Sequence, residues 1–219
     1  MRKLVVLTAV SAVMFSSCVG AVQEAVALYD SASALNKGYH SYKMVKSLKN
    51  APPIFKDYDC VKVQTLIIPA EAGKAKELRD AFIDNFKYIV REYLKAAKLD
   101  NITVCDTDNC TCKGKTLVVQ FLENGYSPNL FNRITIGGML RGKLRYIDSE
   151  SGKVLREENM EVAKDYKTLL QEIAMSVSTK AAQTALKLHP EENPEKLIDR
   201  LNKVKPIKPE YEKLFENSN

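Results

Sequence analysis

Between residues 133 and 162 the sequence alternates so strictly that it dictates a sheet with two different faces. Ile134, Ile136, Gly138, Leu140, Gly142, Leu144 and Tyr146 share one parity, and Arg133, Thr135, Gly137, Met139, Arg141, Lys143 and Arg145 share the other. Successive side chains on a strand point to opposite faces, so the first set meets a core and the second meets water. The returning stretch, Lys153 to Val162, puts Val154, Met160 and Val162 on one parity and Leu155, Glu157, Asn159 and Glu161 on the other. Pairing Ser149 with Lys153 leaves Glu150-Ser151-Gly152 as a three-residue loop with Gly152 at the left-handed position. That register sets Arg145 across from Glu157 and Arg141 across from Glu161. Each opposed pair contributes roughly 0.2–1 kcal/mol. The arginines therefore read as a charge-paired, solvated face rather than an anion site. Gly137-Gly138 and Gly142 read as a bulge, a bend or close packing of a helix, because no helix and no Lys-Ser/Thr pair follows as in a phosphate loop.

A sheet with one apolar face needs a cover, and the flanking sequence supplies it. From Ala72 to Lys98, Leu78, Phe82, Phe86, Ile89, Tyr93 and Ala97 recur at helical spacing, with Ala81, Val90 and Leu94 beside them. Asp165 to Leu188 carries a second stripe of Leu169, Leu170, Ile173, Val177, Ala181 and Ala185, with small residues that permit close approach to a sheet. Three further strands are expected: 59–68, ended by Pro69; 101–105; and 115–122, with 105–114 as the turn between the last two. The fold class that follows is α+β: a mixed or antiparallel sheet of about four or five strands, in the order β-α-β-β-β-β-α, with two long helices packed on one face. Beyond His189-Pro190 the composition turns to Glu, Lys, Asn and Pro. Asn193-Pro194 would cap a short amphipathic helix carrying Leu197, Ile198, Leu201 and Val204, and a loosely docked segment is expected from Lys205.

The start of the chain is of another kind. Arg2 and Lys3 precede an apolar run from Leu4 to Phe15, interrupted only by Thr8 and Ser11, and Ser16-Ser17 lead into Cys18. This is the order of a secretory signal, and the run falls short of the roughly 20 apolar residues that a membrane-spanning helix needs. Phe15-Ser16-Ser17-Cys18 resembles the lipobox of bacterial lipoproteins, departing from it at Phe15, where Leu is usual. The resemblance implies cleavage before Cys18, a diacylglycerol on its thiol and an acylated amine, hence a stable membrane anchor. Val19 is not the aspartate that retains such proteins in the inner membrane, so the implied address is the periplasmic face of the outer membrane. Cleavage between Ser17 and Ala21 would instead release a soluble periplasmic or secreted domain. The chain thus divides into a signal peptide (1–17), an anchor and tether (18–56), the α+β domain (57–189) and a charged C-terminal tail with a short helix (190–219). A short helix is possible over 21–35, and His40 in the tether reads as a surface residue.

The net charge is +6, and loss of Arg2 and Lys3 leaves 31 basic against 27 acidic side chains, or +4. Lysines and arginines alternate with acids instead of clustering, so no nucleic-acid partner is indicated. Catalytic motifs are lacking too: His40 and His189 lie in flanking segments, and there is no G-x-S-x-G and no H-E-x-x-H. No catalytic residue and no cofactor is assigned, and the chain is read as a non-enzyme.

Cys60, Cys105, Cys110 and Cys112 remain. In an exported chain an even number invites disulfides. Cys105–Cys110 or Cys105–Cys112 would staple the turn, and Cys60 would join the remaining partner if its strand neighbours the one that ends at Cys105. All three full pairings stay open. A thiolate zinc site is the alternative, weakened because Cys60 has no near partner in sequence. A redox pair would want C-x-x-C at a helix start, and Asp106-x-Asp108 lacks the rest of a calcium loop, so no metal ligand is assigned.

The stretch from Asp57 to Leu188 resembles a group of bacterial lipoproteins that carry a domain of unknown function. The likeness rests on Asp57-Tyr58-Asp59 before the leading strand, a long helix, the 133–142 strand and an Asp148-x-x-x-Gly152 hairpin. Such domains are similar in layout to the small α/β domains of envelope assembly and secretion accessory lipoproteins. The resemblance implies location and fold, and brings no catalytic residues. The expected function is a lipid-anchored accessory or binding module facing the periplasm, with an envelope protein as partner. The alternative is a periplasmic thiol- or metal-binding protein built on the four cysteines.

Overall fold

The computed structural model describes residue 48 and residues 51–67, 73–107, 110–123, 140–162 and 166–216. The signal peptide, Cys18 and its lipidation, the helix expected over 21–35, His40, the alternating residues 133–139, Asp108 and Asp165 lie outside these residues.

Five strands form one sheet in the order β2-β1-β3-β4-β5, where β1 is Cys60–Leu66, β2 Thr103–Cys105, β3 Thr116–Glu123, β4 Leu140–Asp148 and β5 Val154–Val162. β1 pairs in parallel with β2 and β3, whereas β3–β4 and β4–β5 are antiparallel. The long helices are α1, Gly73–Ala96, and α2, Tyr166–Leu188. The chain is an α+β domain with a mixed sheet, as the periodicities predict.

One face of the sheet carries Val61, Val63, Leu117, Val119, Phe121, Leu144 and Tyr146, all buried. Both helices cover it. Phe82 and Phe86 of α1 meet the ring of Phe121 at 5.1 and 6.3 Å between centroids. On α2, Ser176 hydrogen-bonds the hydroxyl of Tyr146 at 3.1 Å. The expected stripes are the buried ones: Phe82, Phe86, Ile89, Val90, Tyr93, Leu94 and Ala97 on the first helix, and Leu169, Leu170, Ile173, Val177, Ala181 and Ala185 on the second. Gly142 belongs to this face because the Phe121 ring lies over it. A Cβ there would stand 2.3 Å from Phe121 Cζ, so the close partner is a neighbouring strand's aromatic ring and not a helix.

The hairpin register is the expected one, with Arg145 opposite Glu157 and Arg141 opposite Glu161. Arg145 Nε and Lys143 Nζ lie 2.7 and 2.6 Å from the Glu157 carboxylate and hold its pKa below the usual range, the hydrogen bond from Lys143 first. Gly152 has φ +68°, the left-handed conformation assigned to it. Two details differ. The loop is closed by Asp148 N donating to Lys153 O at 2.9 Å, while Ser149 N turns to Thr116 O of β3. A register shift between Tyr146 and Ile147, which pair with Arg156 and Val154, inserts Leu155 as a bulge. The bulge moves Val154 off the parity of Met160, and Val154 is 44% exposed instead of joining the core.

The domain reaches beyond the expected 57–189 on both sides. Phe55, read as tether, is fully buried, packs edge-on to Tyr146 at 6.0 Å and donates its N–H to Thr184 Oγ1. At the other end α3, Pro194–Asn202, is capped as expected: Asn193 Oδ1 accepts from Glu195 N and Lys196 N. Arg200 Nε donates to Ala96 O, supplying a cation at the C-terminal end of α1 where the helix dipole favours one. The segment from Lys205 is docked, not loose. Lys208 N donates to Oδ1 of the buried Asn85, Lys208 Nζ pairs with Asp84, and Tyr211 OH donates to the same carboxylate. Ile207 and Phe215, the latter in α4, Glu212–Glu216, are buried. Polar composition hid this docking because the charges themselves make the contacts.

Candidate functional site: the four-cysteine corner

The connection from β2 to β3 is where the chemistry gathers. The sequence suggests a turn there, but β1 lies between the two strands, so residues 106–115 form a crossover. Parallel neighbours normally need a dozen or more connecting residues, usually with a helix. Here β2 is only three residues long, and a ten-residue return suffices. By register Cys60 lies across from Thr103, and Lys62 from Cys105, so both cysteines occupy the sheet face opposite α1 and α2. Both are buried, and their sulfurs pair with Cys112 and Cys110 of the return.

The cysteines form two pairs at disulfide distance: Cys60–Cys112, with Cα atoms 5.6 Å apart, and Cys105–Cys110, at 5.3 Å. Of the three pairings the sequence leaves open, this one ties β1 to the end of the return and β2 to its middle. In the loop-entropy account the first, closing a 52-residue separation, contributes about 4 kcal/mol, and the second, closing five, about 2 kcal/mol. The Sγ atoms of Cys60, Cys105 and Cys112 all lie within 4.8 Å of one another. Pairing of β1 with β2 therefore supplies the spatial neighbour that Cys60 lacks in sequence.

Hydrogen bonds hold the corner as well. Asp59 N and Cys60 N both donate to Lys115 O at 2.9 and 3.2 Å, Thr103 N donates to Asp59 O at 2.9 Å, and Lys115 N donates to Asp59 Oδ2 at 2.9 Å. Gly114 makes the turn at φ +83°, and a Cβ on it would fall 2.4 Å from Asp59 Oδ2. Asp106, the first residue of the Asp106-x-Asp108 pattern, is engaged by Arg91 Nη1 at 2.6 Å.

Two further polar centres join residues that are distant in the sequence. Tyr58 OH donates to Asp148 Oδ2 at 2.9 Å, while Asp148 Oδ1 accepts from Ser151 N and Oγ at 2.8 and 2.7 Å. The bonds from Ser151 come first in pulling the Asp148 pKa down to about 2, followed by that from Tyr58 and then the charge of Lys115. Burial, then the Asp148 bond, pushes the Tyr58 phenol up to about 12. The second centre is Glu158, which accepts from Ser176 Oγ and pairs with Lys180 and Arg156 at 3.1 Å each. Burial alone would raise its pKa, but Lys180, Ser176 and Arg156 outweigh it and keep the carboxyl below its usual range. Burial likewise raises the Tyr146 phenol. A carboxylate so stabilised is a weak base, so Ser176 is held rather than activated. The signal was present in the sequence: Arg156 and Glu158 share the core-facing parity of Met160, and a buried charge needs partners. His189 sits beside Glu191 at 3.5 Å, just after α2.

No family model and no curated protein matches the sequence. Among solved structures, a PelC dodecamer from Paraburkholderia phytofirmans is similar at 14% identity, over 59% of this chain and 87% of that one, with a TM-score of 0.31. A likeness that loose bears on neither activity nor partner.

Proposed function

We propose that this chain is a lipid-anchored cell-envelope protein, held through Cys18 at the periplasmic face of the outer membrane, whose folded domain is a non-enzymatic accessory or binding module for an envelope protein partner. The observation that carries this reading is that all four domain cysteines lie in two pairs at disulfide distance. Such pairs persist in oxidising compartments, the periplasm among them, and are rare in the cytosol. The basic start, the short apolar run and the 15–18 tetrapeptide supply the route and the attachment. A partner surface would be sought first along β5, which pairs only with β4 among the described residues and exposes Val154 and Leu155.

The test is fractionation of cells expressing the wild type and Cys18→Ser. The wild type is expected with outer membranes and labelled by a palmitate analogue, and the variant without label and off the membrane. A wild type found soluble, or a variant that keeps both label and membrane, contradicts the anchor. Crosslinking from position 155 is expected to trap an envelope protein, and its failure at every β5 position would remove the proposed surface.

A further inference from the structure

We propose that the four-cysteine corner has a second state: when both disulfides are reduced, Cys60, Cys105, Cys110 and Cys112 form a tetrahedral thiolate site for one metal ion of the zinc class. The proposal goes beyond the accessory role and does not depend on the lipid anchor.

Three observations support it. The first is distance. Thiolates around a tetrahedral zinc ion, each about 2.3 Å from it, stand about 3.8 Å from one another. The Cys60, Cys105 and Cys112 sulfurs lie mutually within 4.8 Å, so Cys105 has roughly 1 Å or less to travel while Cys60 and Cys112 part. Cys110 lies outside that mutually close trio but is bonded to Cys105, so it must swing in from the Cys105 side to become the fourth ligand.

The second is a scaffold that does not need the sulfur bonds. The ladder between β1 and β2 fixes Cys60 and Cys105. The hydrogen bonds of Lys115 O with Asp59 N and Cys60 N, and of Lys115 N with Asp59 Oδ2, fix the end of the return, three residues after Cys112. Cys110 N donates to Thr107 O at 3.2 Å, giving the middle of the return a turn of its own. None of these hydrogen bonds runs through a sulfur, so in the folded reduced chain they still gather the four cysteines.

The third is environment. Cys60 and Cys105 are buried and Cys112 is half-buried, so the site excludes bulk water on the sheet side and stays open along the return. Burial disfavours a free thiolate, whereas a bound cation makes it the stable form. Four thiolates on a divalent ion leave two negative charges, and the exposed Lys113 follows Cys112 directly in sequence.

The chemistry balances. A dithiol reductant attacks one sulfur of each disulfide, forms a mixed disulfide, and leaves as its own internal disulfide after its second thiol attacks. Each reduction delivers two electrons and two protons and yields two cysteine thiols. Metal binding then releases the thiol protons to solvent. Disulfides and bound metal are mutually exclusive, so occupancy follows the redox state of the corner.

The experiment uses the full chain, reduced with a phosphine that is then removed without air, and titrated with cobalt(II), followed by competition with zinc(II). One ion per chain is expected, with thiolate-to-cobalt charge-transfer bands and intense tetrahedral d–d bands that zinc abolishes. The oxidised chain should give neither. Cys60→Ser and Cys105→Ser should each lose affinity and shift the bands, since both strands contribute ligands. Circular dichroism is followed in the same titration. If reduction unfolds the chain, recovery of the folded spectrum on adding zinc supports the site. A chain that stays unfolded with zinc, retains no ion on gel filtration, gives an octahedral spectrum, or binds equally well as Cys60→Ser overturns it.

Discussion

Asp148 ties three parts of the chain together with one carboxylate: the stretch just before β1 through Tyr58, the hairpin loop through Ser151, and the end of the return through Lys115 at 3.9 Å. Its consequence for stability has a definite sign. The folded state lowers the Asp148 pKa to about 2, so this contribution is complete above the unfolded aspartate value near 4 and is lost as pH falls toward 2. The folded state raises the Tyr58 pKa to about 12, so the phenol's contribution is complete below about 10 and is lost as pH rises toward 12. Asp148→Asn is therefore expected to lower the melting temperature at neutral pH, with the gap to wild type narrowing between pH 4 and pH 2. Parallel acid limbs would contradict this. Gly114→Ala is a second residue-scale test. At φ +83° and with Asp59 Oδ2 in the way, it should cost about 2 kcal/mol or more in urea denaturation. An unchanged midpoint would mean that the turn yields freely. Little of this was legible in the sequence. Asp148 and Gly152 stand out as a hairpin signature, but Tyr58 is 90 residues away from Asp148 and no local pattern announces the pair.

At the scale of elements, what was legible is what repeats locally. The helix stripes have period 3.6, and the β4–β5 register follows from a short loop and opposed charges, so both could be written from residues alone. The order β2-β1-β3 could not, because parallel pairing joins segments with no common turn, and the return between β2 and β3 looks like any polar loop. The bulge at Leu155 was hidden because it changes parity without changing composition. The two cystine pairs should differ in weight according to the loops they close. Replacing both Cys60 and Cys112 by Ser is expected to cost about 4 kcal/mol, and replacing both Cys105 and Cys110 about 2 kcal/mol, measured by urea denaturation. The reverse order would mean that the return is held mainly by the shorter link. In the C-terminal segment, Phe215→Ala is expected to cost about 3–5 kcal/mol as a buried aromatic truncation. A change within about 0.5 kcal/mol would restore the loosely docked tail that composition suggests.

For the whole molecule, one sheet face is spent on the core, and the other carries the cysteine corner at one edge and the Lys143–Arg145–Glu157 cluster toward the other. The proposed account joins this domain to a lipid at Cys18 and to an oxidising compartment. Its parts stand on separate residues: the anchor on 15–18, the compartment on the four domain cysteines. The most direct test is the intact mass of the protein purified from membranes, with free thiols alkylated, before and after reduction. The account predicts the mass of Cys18 to Asn219 plus a triacylated anchor, four hydrogens lighter than the thiol form and unlabelled until reduced. A mass without lipid would contradict the anchor, and lipid with alkylated thiols before reduction would contradict the paired corner on which the envelope reading rests.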